Sequence, residues 1–292
     1  MKAALFDTVG TPLRIEVIAD PTPAPDEVVL RIAACGICGS DLHVTEDPVT
    51  FGIGKGAVLG HEFAGEVVAM GAAVLNLRQG DRVAVAPMWG CATCDRCRSG
   101  EPAWCAQMRL IGGGYAEFTA VAARQCRVLP PDLPLAEGAL AEPLAVGMHC
   151  VVRSGMRSGA RVLILGAGPG LAQDCQDLIG GTPDIAFECV GKRGLIDAAI
   201  GLVRAQGTVV GVGLCVGGDV WDAFRAISKE VRIVMSVFFS MAEFSVAIDA
   251  LGGGRFRPQS LITERINLDR LPETFEALRR RTTQCKVPVR AS

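Results

Sequence analysis

The chain has 292 residues, of which half are hydrophobic and 5% are aromatic. At roughly 150 residues per domain, this length predicts two domains and excludes a small fold that depends on disulfides. The 29 basic and 31 acidic residues leave a net charge of -2, which excludes a general attraction to nucleic acid or to an anionic membrane. Small molecules are therefore the expected partners.

No apolar run approaches the roughly 18 residues of a membrane span, and Asp7 interrupts the N-terminal segment where a signal sequence would be apolar. We therefore expect a soluble, cytoplasmic protein. The chain contains 12 cysteines. In a reducing compartment cysteines seldom pair, and clustered ones more often bind metal.

The first 121 residues consist of short alternating apolar stretches broken by Gly and Pro, which predicts an antiparallel β domain. The predicted strands are 27–33, 66–70, 82–86 and 116–121. The segment 89–104 is polar and is predicted to form a surface lobe. Helical spacing over 135–152 predicts a helix that leads out of the domain.

The second half of the chain alternates buried apolar runs with helical segments, which predicts a parallel, doubly wound sheet. The predicted strands are 161–165, 184–190, 208–212 and 231–239, and the predicted helices are 171–179, 194–204 and 220–228. In the tail, apolar and polar residues alternate again over 260–266, as in a strand, and a last helix is predicted at 271–280.

Four cysteines of the lobe follow the pattern C-x2-C-x2-C-x7-C, at Cys91, Cys94, Cys97 and Cys105. Thiolates at this spacing can surround a tetrahedral zinc ion, and the metal then supplies folding energy that a lobe with little core lacks. An iron–sulfur cluster is the alternative, but its motif has an earlier fourth cysteine followed by proline. The spacing therefore predicts a structural zinc site.

Two further motifs, CGICGSDLH at 35–43 and GHEFAG at 60–65, offer thiolate, imidazole and carboxylate ligands. Such a mixed set is typical of a catalytic zinc site with a vacant position. The second motif continues as Gly60-His61-Glu62-x2-Gly65-x5-Gly71-x2-Val74. This signature and the cysteine spacing in the lobe resemble the zinc-dependent medium-chain alcohol dehydrogenase family.

The resemblance implies Cys38 and His61 as ligands of the catalytic zinc, and it places Glu142 at the position of the third protein ligand. A glutamate there points to the branch of polyol, butanediol and threonine dehydrogenases. Relatives in that branch vary in which glutamate coordinates the zinc directly, so Glu62 is an alternative to Glu142. Asp41 is a candidate to hold the imidazole, because a metal-bound ring usually donates its other N–H to a carboxylate.

The resemblance also implies the chemistry of the site. Zinc acts as a Lewis acid toward an alcohol oxygen, and NAD or NADP accepts the hydride. The proton would leave through Ser40 and the cofactor ribose toward His43. Taken alone, His43 could also be a turn residue near the surface.

The glycine loop of a dinucleotide site is incomplete. Gly166 and Gly168 follow a predicted strand, but the third glycine of G-x-G-x-x-G is replaced by Leu171. A lone motif of this kind is weak evidence. The resemblance assigns nicotinamide contacts to the turns after the next two strands, at Val190, Gly191, Val212, Gly213 and Leu214.

Only residues 167–183 separate Gly166 from the next predicted strand, where family members would place two more strands with their helices. One βαβ unit takes about 30 residues, so the gap holds a single crossover. In the family the strands of the sheet lie in the spatial order 3-2-1-4-5-6. Removal of strands 2 and 3 leaves the order 1-4-5-6, which is possible because strands 1 and 4 are neighbours already. The acidic residue that ends strand 2 and binds the adenosine ribose is then expected to be missing, and cofactor affinity is expected to be reduced. Glu188 lies at a similar distance after the glycines, but its surroundings resemble strand 4 of the family.

The sequence therefore predicts an α/β protein with a GroES-like β catalytic domain (1–153 and 239–292, zinc lobe 89–105) and a truncated Rossmann domain (154–238). The predicted function is zinc-dependent hydride transfer between a secondary alcohol or polyol and NAD(P), with two zinc ions per chain. The alternative is a non-catalytic zinc-binding remnant of such a dehydrogenase. By resemblance the chain forms a homo-oligomer, and the balanced charge disfavours a zinc-ribbon nucleic-acid binder.

Overall fold

The computed structural model describes residues 1–166, 180–280 and 284–291. The chain forms two compact units, one made of Met1–Ala145 and Phe239–Ser292 and the other of Val146–Phe238. Each unit is organised around its own sheet. The roles predicted for these units, a catalytic zinc domain and a dinucleotide-binding domain, stay predictions at this point.

The first unit is built on β-strands, as the sequence predicts. Its strands are β1 (Lys2–Leu5), β2 (Arg14–Val17), β3 (Glu27–Gly36), β4 (Glu62–Met70), β5 (Arg82–Val85), β6 (Met88–Trp89), β7 (Arg109–Leu110), β8 (Phe118–Ala122), β9 (Cys126–Val128), β14 (Ile266–Asn267) and β15 (Pro288–Arg290). Among the residues that the structure describes, seven of these strands form one sheet in the order β14-β15-β3-β4-β5-β9, with β8 also paired to β3. The core lies against β3, whose apolar side chains are almost all buried, and against the first part of β4, where Phe63, Ala64 and Val67 are buried.

The pairing of three strands brings distant parts of the chain together. Strands β3 and β4 run antiparallel and place Gly36 opposite Glu62. Strand β15, near the C-terminus, runs antiparallel to the same end of β3, with Pro288 opposite Gly36. The residues just before β15 therefore lie beside the start of β4.

The predicted alternation over 260–266 is mostly wrong as a strand. Pro258 lacks the N–H that a ladder needs and starts a 3-10 turn, Pro258–Leu261, that takes up the first residues of this segment. Only an isolated bridge, Ile262 with Lys286, and the short β14 remain extended. The last helix is Leu271–Leu278, slightly shorter than predicted.

The helices of the first unit are α1 (Gly39–Glu46), α2 (Asp95–Arg98), α3 (Leu135–Gly138), α7 (Met241–Gly252) and α8 (Leu271–Leu278). The predicted single helix over 135–152 is two helices, α3 and α4 (Ala141–Ser154). Pro143 explains the break, because proline is tolerated in the first turn of a helix but not in its interior.

The segment Leu135–Ser154 is long and apolar enough to cross a membrane by length and composition alone. The core helix of a soluble protein passes the same test. Glu142 and His149 are both buried within this segment. It therefore carries polar groups that need partners inside the protein.

The second unit contains a parallel sheet, and the predicted fold class is confirmed. Its strands are β10 (Val162–Leu165), β11 (Ile185–Glu188), β12 (Thr208–Gly211) and β13 (Arg232–Met235), in that spatial order and all parallel. The helices α5 (Leu195–Leu202) and α6 (Ala223–Ser228) follow β11 and β12. Strand β13 ends earlier than predicted because its partner β12 ends at Gly211, opposite Met235. The predicted helix 171–179 lies outside the described residues.

The close approach of β3 and β4 gives a first prediction. A Cβ atom at Gly65 would lie 2.4 Å from the carbonyl oxygen of Arg31, so Gly65→Ala must push the two strands apart. We expect a loss of about 1–3 kcal/mol in the free energy of unfolding, measured by urea denaturation. As a matched control, Gly147→Ala in α4 meets no atom within 4 Å and should instead gain about 0.5–1 kcal/mol. Equal effects of the two substitutions would contradict this packing argument.

A second prediction concerns pH and Asp184, which precedes β11. Its carboxylate accepts hydrogen bonds from the Arg204 side chain at 2.6 Å and from the Arg161 amide at 2.8 Å. The Arg204 hydrogen bond lowers the pKa of Asp184 from its usual 3.8 to about 2. Because the folded pKa is depressed, this contribution to stability is present above the unfolded pKa and lost as pH falls through the folded one.

We therefore expect Asp184→Asn to destabilise the protein at neutral pH. The difference between the two proteins in free energy of unfolding should shrink as the pH is lowered from about 5 to about 2, as measured by denaturant titrations. A difference that stays constant over this range would show that the carboxylate charge does not contribute.

Candidate functional site

Cys38, His61 and Glu62 form a compact group of metal-ligand atoms. The Cys38 sulfur, a ring nitrogen of His61 and a carboxylate oxygen of Glu62 all lie within 4.8 Å of one another. Cys38 immediately precedes α1, whereas His61 and Glu62 stand at the start of β4. The structure thus brings together residues from the two motifs that the sequence singled out.

The Glu62 carboxylate is buried, and only one of its two oxygen atoms has a hydrogen-bond partner. Its side chain is 1% exposed, and its Oε1 atom accepts a hydrogen bond of 2.5 Å from Lys286 Nζ. The Oε2 atom is buried without any hydrogen-bond partner. A buried, unpaired carboxylate oxygen is costly. A cation held with the neighbouring thiolate and imidazole would remove this cost, and such a donor set suits zinc.

Asp41 orients the imidazole, as the sequence predicts. Its Oδ1 atom lies 3.2 Å from His61 Nδ1, and its Oδ2 atom accepts hydrogen bonds from the Tyr115 hydroxyl at 2.7 Å and from the Cys38 amide at 3.2 Å. Burial opposes the charged form of Asp41, but the facing imidazole outweighs it and lowers the pKa. Because Nδ1 faces Asp41, the Nε2 atom of His61 is left for a metal.

Glu142 is buried in the first turn of α4, outside the group of three ligands. Burial raises the pKa of its carboxyl to about 7, and the charge of His61 opposes this shift. The charge of Glu62 raises this pKa further, and the charge of Lys286 lowers it. Glu142 therefore belongs electrostatically to the same centre, but its role as a zinc ligand stays a prediction.

The two residues of the predicted proton route lie in α1. The Ser40 hydroxyl donates a hydrogen bond of 3.1 Å to the Cys38 sulfur, which places it at the edge of the ligand group. His43 lies one helical turn further along, with its Nδ1 atom 3.5 Å from Glu46 and its side chain 38% exposed. Ser40 thus faces the centre and His43 is accessible to solvent.

The four cysteines of the lobe also come together, with all sulfur atoms within 4.8 Å of one another. Backbone amides support this arrangement: Cys94 donates to the Cys91 sulfur at 3.4 Å, and Gln107 donates to the Cys105 sulfur at 3.3 Å. Hydrogen bonds from Thr93 lower the pKa of Cys91 to about 5, which favours the thiolate that a metal requires. The four side chains fit a tetrahedral zinc ion.

Sequence reasoning missed three contributors to the centre. Lys286 pairs with Glu62, Tyr115 donates to Asp41, and a Cβ atom at Gly36 would lie 2.0 Å from Glu62 Oε2. Tyr115 is the only tyrosine of the chain, which is a signal in itself. Nothing local marks Lys286 or Gly36, because both act across strand pairings that join distant segments.

In the second unit, two of the predicted nicotinamide turns pack against each other. A Cβ atom at Gly191 would meet the Leu214 carbonyl oxygen at 2.4 Å, and one at Gly213 would meet the Gly191 nitrogen at 2.0 Å. Val212, Gly213 and Leu214 line a cavity of about 350 Å³ together with residues after β13. Gly166 directly follows β10, whereas Gly168 lies outside the described residues.

Glu188, at the end of β11, supports the first of these turns. Its Oε1 atom accepts hydrogen bonds from the amides of Val190 at 2.7 Å and Gly191 at 2.8 Å. The side chain is otherwise buried. Its carboxylate therefore has a structural role in shaping the turn.

Comparison with known proteins identifies the family. Residues 24–131 match the alcohol dehydrogenase GroES-like domain, and residues 145–252 match the zinc-binding dehydrogenase domain. The chain is 31% identical to sorbitol dehydrogenase of Gallus gallus, over 92% of this chain and 90% of that protein. The chain therefore belongs to the zinc-dependent medium-chain alcohol dehydrogenase family, as its zinc signature predicts.

Further relatives agree with this assignment. L-idonate 5-dehydrogenase of Vitis vinifera is 30% identical, over 94% of this chain and 91% of that protein. The alignment with the Gallus gallus protein runs over 330 positions, more than the 292 residues of the whole chain, so the relative contains residues without a counterpart here.

Two solved structures share the fold across the whole chain. 2R,3R-butanediol dehydrogenase from Bacillus subtilis is 26% identical with a TM-score of 0.86, covering 100% of this chain and 99% of that one. A protein classed as a zinc-binding dehydrogenase from Sinorhizobium meliloti 1021, bound to NADP, is 26% identical with a TM-score of 0.84, covering 99% and 98%.

The contact between Gly36 and Glu62 gives a third prediction. Because a Cβ atom at position 36 would collide with Glu62 Oε2, Gly36→Ala should displace this carboxylate and weaken metal binding at the Cys38 group. We expect metal analysis to show loss of this ion, while the lobe keeps its own. Gly39→Ala is the matched control, since no atom lies within 4 Å of its added Cβ. Equal metal content in both variants would overturn this role for Gly36.

Proposed function

We propose that this chain transfers a hydride between a secondary alcohol or polyol and NAD(P), at a zinc ion held by Cys38, His61 and a carboxylate. The observation that carries the proposal is the unpaired, buried Oε2 atom of Glu62 beside a thiolate and an imidazole. Three protein ligands of mixed type leave a vacant position for a substrate oxygen, as in catalytic zinc sites. The relatives named as sorbitol and L-idonate 5-dehydrogenases support a polyol as substrate.

The chain's own residues prepare this site for a cation. Asp41 fixes the imidazole, and Lys286 occupies one oxygen of Glu62, which directs the other toward the metal position. When bound, zinc supplies Lewis acidity that makes an alcohol hydroxyl more acidic. The hydroxyl of Ser40 both donates and accepts, so it can pass the substrate proton toward His43 and solvent. Glu142 is the alternative carboxylate ligand.

The proposal assigns a second, structural zinc ion to Cys91, Cys94, Cys97 and Cys105, which gives two ions per chain. It makes the first unit the catalytic domain and the second unit the dinucleotide-binding domain. The turns at Val190, Gly191, Val212, Gly213 and Leu214 would receive the nicotinamide, and Gly166 and Gly168 the phosphates. The NADP-bound relative supports a dinucleotide as cofactor.

We also propose a cytoplasmic homo-oligomer with neither nucleic acid nor a membrane as partner. Large apolar side chains are exposed in and before α6, with Val220 83%, Phe224 79% and Ile227 73% accessible. Phe224 and Ile227 lie one turn apart and form a contiguous face. A second copy of the chain that covers this face would explain their exposure.

The activity is tested with the Cys38→Ala variant. The wild-type protein should oxidise polyols with NAD(P), contain two zinc ions and quench its tryptophan fluorescence when NADH is added. The variant should retain one zinc ion and NADH binding but lose turnover by at least about a thousandfold, since the metal supplies several kcal/mol of stabilisation. Retention of both ions would remove Cys38 from the ligand set. If the wild-type protein shows no NADH binding at concentrations up to millimolar, the result would favour the alternative, a non-catalytic zinc-binding remnant.

A further inference from the structure

The parallel sheet of the second unit ends at β10 on one side. Within residues 1–166, 180–280 and 284–291, β10 pairs only with β11. Its Ile164 side chain is 58% exposed. In a complete doubly wound sheet the strand beyond this edge carries the acidic residue that binds the adenosine ribose, or a nearby arginine that accepts a 2′-phosphate.

The connection after β10 is too short to supply such a strand. Only residues 166–184 join Leu165 to Ile185, and these two strands are parallel neighbours. One crossover between parallel strands takes about a dozen residues, and a strand beyond β10 needs a second crossover to return. The 19 residues 166–184 are fewer than the two crossovers that a parallel strand beyond β10 would need.

The acidic side chains that the structure describes at this end of the sheet are held by backbone amides: the Oδ1 atom of Asp219 accepts from Gly194 and Val220. Among the described strands, Glu188 is the acid at the carboxyl end of β11, and its Oε1 atom is held by the amides of Val190 and Gly191. Asp184 lies before β11, at the opposite end, where it pairs with Arg204. Among the described residues, the adenosine ribose therefore lacks the partner that the second strand of this fold normally provides.

The turns predicted to contact the nicotinamide, in contrast, are present in the structure. The turns after β11 and β12 are closely packed at Gly191 and Gly213. The cavity of about 350 Å³ beside them is lined by apolar side chains such as Leu214 and Trp221 and by the charged residues Glu188, Lys192 and Asp219. The binding surface for the nicotinamide is thus preserved while that for the adenosine is reduced.

We infer that the chain holds its cofactor through the nicotinamide mononucleotide half, and that the adenosine half contributes little to binding. This inference rests on the proposed function. It has a second consequence: NADH and NADPH bind alike, because the chain has no room for the parallel strand whose side chain would distinguish the 2′-hydroxyl from the 2′-phosphate.

The test compares three ligands on the zinc-loaded, full-length protein: reduced nicotinamide mononucleotide, NADH and NADPH, each titrated by tryptophan quenching. Two or more lost hydrogen bonds to the ribose account for a factor of ten or more in affinity. We therefore expect the three dissociation constants to agree within about tenfold. AMP at millimolar concentration should displace none of them.

Two matched alanine substitutions locate the binding. Leu214→Ala, in the cavity wall, should weaken the mononucleotide and NADH by the same factor, about tenfold. Ile164→Ala, at the exposed edge of β10, should change neither. Both residues are aliphatic and partly exposed, so the pair controls for general effects of truncation.

The outcomes separate the two proposals. An NADH affinity more than about tenfold above that of the mononucleotide, displacement by AMP, or a preference for NADH or NADPH beyond about tenfold would overturn the inference and leave the proposed function intact. If none of the three ligands binds, the cofactor step of the proposed function fails together with the inference.

Discussion

The Glu62 carboxylate is the group on which the rest of the centre depends. It is fully buried, it shares one oxygen with Lys286, and it leaves the other without a partner. Removing a charged carboxylate from water costs several kcal/mol unless cations compensate it. Lys286 supplies one positive charge, and a metal ion beside Cys38 and His61 would supply the rest.

This arrangement is a product of strand pairing. Glu62 starts β4, Gly36 ends β3 opposite it, and Lys286 precedes β15 on the other side of β3. The side chain of Glu62 fits only because position 36 has no Cβ. Register in the sheet therefore sets the position of the Glu62 carboxylate, without a loop to hold it.

The sequence predicted the parts of the molecule whose signals are local. The cysteine spacing of the lobe, the motif around His61 and the alternation of strands with helices each depend on neighbouring residues, and the corresponding elements are present. The tail could not be read in this way, because its strands β14 and β15 are short and Pro258 redirects the chain. Lys286 and Gly36 were missed because their roles arise only when segments far apart in sequence pair. The helix break before Ala141 could have been found from Pro143.

The single tyrosine has a practical consequence. Tyr115 is buried, edge-on to Phe275 at a centroid distance of 6.4 Å, and donates its hydroxyl hydrogen to the carboxylate that orients His61. Isotope labelling of tyrosine alone would thus give NMR signals from a single residue, which lies beside Asp41 and His61. These signals would report on the surroundings of the imidazole, and on occupancy of the site, without any engineered probe.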